Sequence, residues 1–427
     1  SLTDNSKNFI KNLNKDIQIV VLSSENEFIN QSGYEKYFQQ ANEVIKEYAR
    51  MSNKIKVVYK DVTEDPTYLA QYETENVSKG SIIVKTEDKY KIIAANDLFE
   101  IQTASYQAQV TASKAEQILT SAILYVSSEG QAKIALLTGY GEQETSGLEN
   151  LLSINNYQVD KINLLTSDIS SDAIMAVIFA PSKDYDAAGV EKLNKFMENN
   201  GKYGKHLLVV SNHEVRSFAN LNSVLNTWGV NIEPSVAFET DTSKIISRNM
   251  SVFGYVAEYA NDAYSSKLKN SSIPFFTPYS NALKIIDNSV AKPMLTLSAK
   301  SGSYPLDSKD DNITDKITGN VPVAVVSEKK MNENADVSKI FVFGSYLAFS
   351  QNFLSQTSIS NSDYIINMFN SITGQKQIII EPKSFESTEL TISELSSNLL
   401  GIVFCVIIPL AILAVGVIII CYRKYRK

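Results

Sequence analysis

The chain has 427 residues, 44% of them hydrophobic and 20% charged, with a formal net charge of −7. This composition excludes a wholly disordered chain and a polytopic membrane protein, and the acidic balance argues against a sequence-wide attraction to nucleic acid. Both cysteines, Cys405 and Cys421, lie near the C-terminus, so no disulfide scaffold, thiol nucleophile or cysteine-ligated metal can form before them.

The length allows two or three domains, each able to bury a core. Residues 1–16 read as a leading segment with a short helical pattern of Phe9, Ile10 and Leu13. The apolar, β-branched run 17–22 predicts a buried strand. Tyr37, Phe38, Ala41, Val44, Ile45 and Tyr48 then recur at helical spacing. Residues 55–59 alternate as a second strand. A turn-rich connection from Asp61 to Pro66 leads to a short helix around 67–72. Two more strands, 81–84 and 90–94, flank the turn Thr86-Glu87-Asp88. Ala115, Ile118, Leu119, Ala122, Ile123 and Val126 mark a closing helix. The order β-α-β-α-β-β-α over 17–130 is that of a thioredoxin-like domain. A thioredoxin enzyme carries Cys-x-x-Cys after the first strand. Ser23-Ser24-Glu25-Asn26 stands there instead, which excludes redox chemistry.

A second unit, 131–375, opens with a strand at 134–137. The glycine-containing turn Thr138-Gly139-Tyr140-Gly141-Glu142 follows, then a helix through Leu148, Leu151 and Leu152. Strands are predicted at 157–164, 173–179 and 206–210, with a helix through Val190, Leu193, Phe196 and Met197 before the last of them. The region 230–320 is rich in Ser, Asn and Asp and reads as irregular. Strands resume at 321–326 and 340–344, and Ile365, Ile366, Met368, Phe369 and Ile372 give a last helix. Strands alternating with helices predict a flavodoxin-like, mostly parallel, doubly wound sheet, so the fold class is α/β throughout.

Residues 376–398, with Pro382 and many Ser and Glu, read as an extended stalk. From Leu399 to Tyr422 no residue is charged. At about 1.5 Å per residue that run spans a hydrocarbon core, so a single transmembrane helix is expected over 399–422. The tail 423–427 carries Arg423, Lys424, Arg426 and Lys427, and positive flanks stay cytoplasmic. The bulk of the chain is therefore expected outside the cell membrane. Without the tail's four positive charges the rest carries −11. An outward-facing body needs an export signal, and no signal-peptide pattern follows Ser1. Either a removed signal or a further membrane segment preceding Ser1 is expected, the second being favoured.

Chemistry-bearing patterns are sparse. The loop Gly139, Tyr140, Gly141 and Glu142 is the best small-molecule candidate, because ligands bind open α/β sheets beyond the carboxyl ends of strands. It has neither the G-x-G-x-x-G spacing nor a Walker A lysine, and a tight structural turn is the default reading. The two histidines, His206 and His213, cannot make a zinc site unaided. His213-Glu214 with Arg216 reads as a surface loop, and no G-x-S-x-G elbow is present. Amidotransferase-type doubly wound domains need a cysteine nucleophile, which is missing. Two acidic clusters, Asp61/Glu64/Asp65 and Asp307/Asp310/Asp311/Asp315, lack the glycine and terminal glutamate of a calcium loop. No catalytic residue, metal or cofactor is predicted.

The succession resembles the GldG-like family, auxiliary components of ABC transporters first associated with gliding motility. In the first domain the matching stretches are IKVVYKDVTEDPTYLAQY, GSIIV and TASKAEQILTSAILYV. In the second they are LLTGYGE, YQVDKINLL, VIFAP, VEKLNKFMENNG, LLVVS and KIFVFGS. The basic-tailed apolar helix fits as well. One departure is Tyr140, where such proteins often carry histidine. The resemblance implies a non-catalytic, membrane-anchored auxiliary subunit working with an ABC permease and a cytoplasmic ATPase, the lipid bilayer being its other partner. The chain's lack of a nucleotide motif fits that division of labour. A membrane-anchored envelope hydrolase and an adhesion or scaffold protein are the alternatives from other classes.

Overall fold

The computed structural model describes residues 2–72, 77–104, 107–248, 252–268, 270–309, 312–330, 332–333, 336–373 and 383–385. The membrane helix and basic tail expected over 399–427, and all of the stalk but Lys383–Phe385, lie outside the described residues. Among the described residues no helix is long and apolar enough to cross a membrane. Contacts divide the described chain into two units. The chain up to Glu100 and from Ser113 through Thr373 forms one unit, and Ile101–Ala112 with Lys383–Phe385 falls in another.

The first unit begins with α1 (Asp4–Lys11), capped by Thr3, whose hydroxyl accepts the Ser6 amide. Strand β1 (Ile17–Val21) follows, then α2 (Glu25–Ile29), α3 (Glu35–Met51), β2 (Ile55–Tyr59), β3 (Ile82–Lys85) and β4 (Tyr90–Ile93). The sheet order is β2-β1-β3-β4, with β1 parallel to β2 and antiparallel to β3, and β4 antiparallel to β3. Central β1 is apolar because both its faces are covered: Ile17, Ile19, Val20 and Val21 are all buried. After β5 (Phe99–Ala104) and β6 (Gln107–Ser113) comes α4 (Ala115–Ser127). Its Leu119, Ala122, Ile123 and Val126 are buried, as are Phe38, Ala41, Ile45 and Tyr48 of α3.

A polar knot ties α1 to these two helices. The buried Glu116 of α4 accepts at one oxygen, Oε1, from the Thr3 amide at 2.6 Å and from the Thr3 and Ser6 hydroxyls at 2.7 Å each. Tyr48 of α3 donates to the Glu116 carbonyl at 3.0 Å and shares a 2.6 Å bond with the Thr120 hydroxyl. A buried carboxylate is tolerated only when such donors replace its water shell.

The chain continues through β7 (Ala132–Thr138), α5 (Ser146–Ile154), β8 (Tyr157–Asn163), β9 (Met175–Phe179), α6 (Ala187–Glu198), β10 (His206–Val210) and α7 (Ala219–Asn226). The region that reads as irregular instead forms β11 (Val230–Glu239), β12 (Ile245–Arg248), β13 (Val252–Tyr259), α8 (Asp262–Ser265), β14 (Phe275–Pro278), β15 (Asn281–Ile285), β16 (Ala291–Thr296) and β17 (Ser301–Pro305). Several of these strands, β11 and β16 among them, are only partly covered, so their apolar signal is diluted. In β11 buried residues largely alternate with partly exposed ones. β18 (Pro322–Lys329), β19 (Ser338–Phe343), α9 (Gln351–Leu354) and α10 (Asn361–Thr373) complete the unit.

Ten strands form one sheet in the order β12-β13-β16-β18-β19-β10-β9-β7-β8, with β14 paired to β13. Five of them, β8-β7-β9-β10-β19, are parallel. The expectation of a mostly parallel sheet is corrected here. From β18 outward every pairing is antiparallel, and β15-β11-β17 forms a separate antiparallel sheet. Alternation along the parallel strands divides the core by face. Ile134, Val177, Leu208 and Phe341 pack with Leu148 and Leu152 of α5 and Ile365 and Phe369 of α10. Ala135, Ile178, Val209 and Val342 pack with Leu193 of α6 and Leu221 and Leu225 of α7. In the second unit, β20 (Lys383–Ser384) joins β6 and β5 in the order β20-β6-β5.

His206 opens β10 as a buried side chain, and its Nδ1 accepts the Lys339 amide of β19 at 3.2 Å. Burial, and then the charges of Lys339 and Lys205, push its pKa down from 6.5 to about 4. The unfolded chain therefore binds the proton more readily. This group's contribution is full above about pH 6.5 and is lost as the pH falls through about 4. Urea unfolding of the His206→Gln variant is expected to show a shallower loss of stability between pH 6.5 and 4 than the parent.

Candidate functional site

The parallel strand order places β7 between β8 and β9. Connections leave the carboxyl ends of β7 and β9 toward opposite faces there, and open α/β sheets bind ligands at such a point. The loop Thr138–Glu142 occupies it. Gly139 has φ +122° and Gly141 φ +71°, the left-handed region that suits glycine. A Cβ on Gly141 would lie 2.2 Å from the Ser182 hydroxyl. The loop needs this compactness because it is laced to the turn after β9. The Ser182 and Lys183 amides donate to the Tyr140 carbonyl, Gln143 donates to the Ala180 carbonyl, and Glu142 bridges Pro181.

The amides at the strand end, which an anionic ligand would seek, are already bonded. Glu142 turns back so that its carboxylate accepts the Gly139 and Tyr140 amides at 3.0 Å each. Tyr140 donates its hydroxyl to Asp186 at 3.0 Å, and Asp186 in turn caps α6 by accepting the Gly189 amide at 2.8 Å. Burial first, and then this contact with Asp186, pushes the Tyr140 hydroxyl up to about 12. Its ring stacks on Tyr185 at 4.0 Å between centroids. The Tyr185 hydroxyl is buried with no hydrogen-bond partner among the described residues. Burial and the nearby Glu142 charge hold it well above the ordinary tyrosine range.

Beside the loop lies an open depression of about 420 Å³ that includes Glu142, Glu144, Thr145 and Lys161. Lys161 is paired with Glu149 at 2.8 Å. The structure thus gathers Gly139, Tyr140, Gly141 and Glu142 in one place, but as a turn whose own carboxylate fills the anion position. Asp186 and Tyr185, 46 and 45 residues from Tyr140, have no signal in the sequence beyond the helix-start pattern at Asp186.

The other sequence candidates do not join this loop. His213 follows β10 and stacks with two tyrosine rings, Tyr279 at 5.4 Å and Tyr346 at 5.7 Å, both nearly parallel to it. Burial lowers its pKa, and Glu214 opposes that shift. Aromatic faces rather than a carboxylate or hydroxyl orient it, so no Ser-His-Asp arrangement exists there. Arg216 pairs instead with Asp307 at 3.0 Å on the surface. The first acidic cluster is broken up locally: Asp61 accepts from Thr63, and Asp65 pairs with Lys60. Asp310 and Asp311 of the second cluster lie outside the described residues, as do Arg423, Lys424, Arg426 and Lys427. Among the described residues no three His, Cys, Asp or Glu side chains are grouped to hold a metal. At Ser23–Asn26, Ser24 caps α2 by accepting the Glu27 amide at 3.3 Å, and Glu25 pairs with Lys46 and accepts from Asn42. These residues hold a helix start in place.

A family model described as a domain of unknown function (DUF7088) matches residues 1–124. No curated protein sequence matches the chain. Among solved structures, the mmIFT52 N-terminal domain is similar at 18% identity and a TM-score of 0.43, over 58% of this chain and 100% of that one. PurLQS from Thermotoga maritima is similar at 13% identity and a TM-score of 0.33, over 57% and 99%. A glutamine amidotransferase from the same organism is similar at 6% identity and a TM-score of 0.30, over 58% and 86%.

Two substitutions separate the roles in this loop. Glu142→Ala leaves two amides without their acceptor and is expected to cost about 1–3 kcal/mol in urea unfolding. Tyr185→Phe removes a hydroxyl with no described partner and is expected to leave stability unchanged or raise it by up to about 1 kcal/mol.

Proposed function

We propose that the chain is a non-catalytic, membrane-anchored auxiliary subunit of an ABC transporter, its body outside the cell membrane and its basic tail in the cytoplasm. In this reading a thioredoxin-like domain precedes a flavodoxin-like one, and a single helix over 399–422 anchors both. The body works beside a permease, docking a substrate or partner, or relaying conformational change. ATP hydrolysis is supplied by a separate cytoplasmic subunit. The observation that carries the proposal is that helix caps and turn bonds occupy the positions where such folds usually place their chemistry. Ser24 caps a helix where a reactive dithiol would sit, and Glu142 fills the anion position at the switch point.

Further support comes from the sheet orders. The first sheet runs second-first-third-fourth with only the third strand reversed. The parallel strands of the other run second-first-third-fourth-fifth, the flavodoxin-like order. The uncharged run 399–422 with four basic residues behind it supports the anchor and its orientation.

Purification of the full chain from detergent-solubilised membranes, with mass spectrometry of what accompanies it, tests the proposal. A permease and an ATPase are expected in stoichiometric amounts. Recovery of the chain without either, under conditions that preserve a known transporter from the same membranes, would sink the proposal.

A further inference from the structure

A cleft of about 360 Å³ opens between α4 on one side and α5, α9 and the start of α10 on the other, all within the first unit. Clefts where two layers of a molecule meet are common ligand sites. The composition of this one is selective. Six of its lining side chains are carboxamides, four are hydroxyls and six are aliphatic, and no aromatic ring is among them. Its charged residues are one lysine, Lys114, and two acids, Glu100 and Asp363.

Each fact removes a ligand class. Sugar rings and nucleobases are gripped by stacking on aromatic faces, and none is offered. A polyanion needs several cations, and the lining carries one against two acids. What remains matches an extended polypeptide. Its peptide groups present a donor and an acceptor at every residue, which a carboxamide can answer with both of its own. Its small side chains settle on an aliphatic floor.

Two carboxamides are placed for the task. Gly147 of α5 packs so closely on α9 that a Cβ there would lie 2.6 Å from the Gln351 backbone nitrogen. Asn150 lies one turn further along the same face of α5. The side chains of Asn150 and Gln351 are exposed and make no hydrogen bond among the described residues. Lys114 is half-buried and enters no ion pair among the described residues.

The geometry points to this cleft as a binding site for an extended peptide segment, with Asn150 and Gln351 bonding its main chain and Lys114 meeting one acidic group on it. The inference goes beyond the transporter reading and stands on the cleft alone, so it survives if no permease or ATPase is found with the chain.

The test uses the full chain in detergent and an equimolar pool of synthetic octapeptides, half of them with one acidic residue and half with none. Retained peptides are separated by gel filtration and identified by mass spectrometry. The parent is expected to retain a subset enriched in the acidic half. The Asn150→Leu, Gln351→Leu double variant is expected to retain that subset at least tenfold less. Both positions are exposed, so its thermal midpoint is expected to match the parent's. Lys114→Met is expected to remove the acidic preference while keeping retention. As a measurement independent of the variants, the pool is expected to slow amide hydrogen exchange in α5 and α9 of the parent. Retention of no peptide, equal retention by the double variant, or protection elsewhere than at the cleft overturns the proposal. An acidic preference that survives Lys114→Met overturns the part given to the lysine.

Discussion

The two central parallel strands, β9 and β10, are buried on both faces, and they set the terms for the rest of the larger unit. Met175, Ala176, Val177, Ile178 and Phe179 of β9 are all buried, as are the five residues of β10 beside it. Such strands cannot face water on either side, so two helical layers are obligatory: α5 and α10 on one face, α6 and α7 on the other. Parallel neighbours also require long crossovers, and α5, α6 and α7 lie within them. The loops at the carboxyl ends, including Thr138–Glu142, follow from this winding. Their position is inherited from the topology, whereas their chemistry is a property of this chain.

That distinction explains which parts of the molecule were legible in the sequence. The buried strands announced themselves, since a run such as HLLVV has no polar face to confuse the period. Amphipathic α3 and α6 were equally plain, with their apolar residues at helical spacing. The region 230–320 was opaque. β11 shows one face to solvent and carries Pro234 and Ser235 within it, so its alternation is broken by residues that usually mark turns. β12, β13 and β14 build the antiparallel side of the sheet, and β12 and β14 are only four residues each. Their pairing is decided by partners distant in sequence, which no local window contains.

The loop shows the same limit at the level of a site. Two glycines after a strand were visible, and so was a glutamate nearby. That Glu142 folds back onto the amides of Gly139 and Tyr140 depends on backbone angles, not on residue type. The stacking of His213 with Tyr279 and Tyr346 was likewise out of reach, because the three rings come from separate strand ends. Sequence locates where a fold places its ligand; it does not say whether the place is already taken.

The knot at Glu116 has a mechanical side. Apolar packing yields gradually, because sliding one greasy surface past another trades contacts a few at a time. Hydrogen bonds of 2.6–2.7 Å to a single buried oxygen do not slide, since their strength falls steeply with distance and angle. The joint between α1 and α4 is therefore stiff up to its breaking point and brittle beyond it. The same joint reaches α3 through Tyr48, whose hydroxyl bonds the Glu116 carbonyl and the Thr120 hydroxyl. The cleft bordered by Lys114 and Gln117 lies at the start of that same α4, within one helical turn of the oxygen that bears the load.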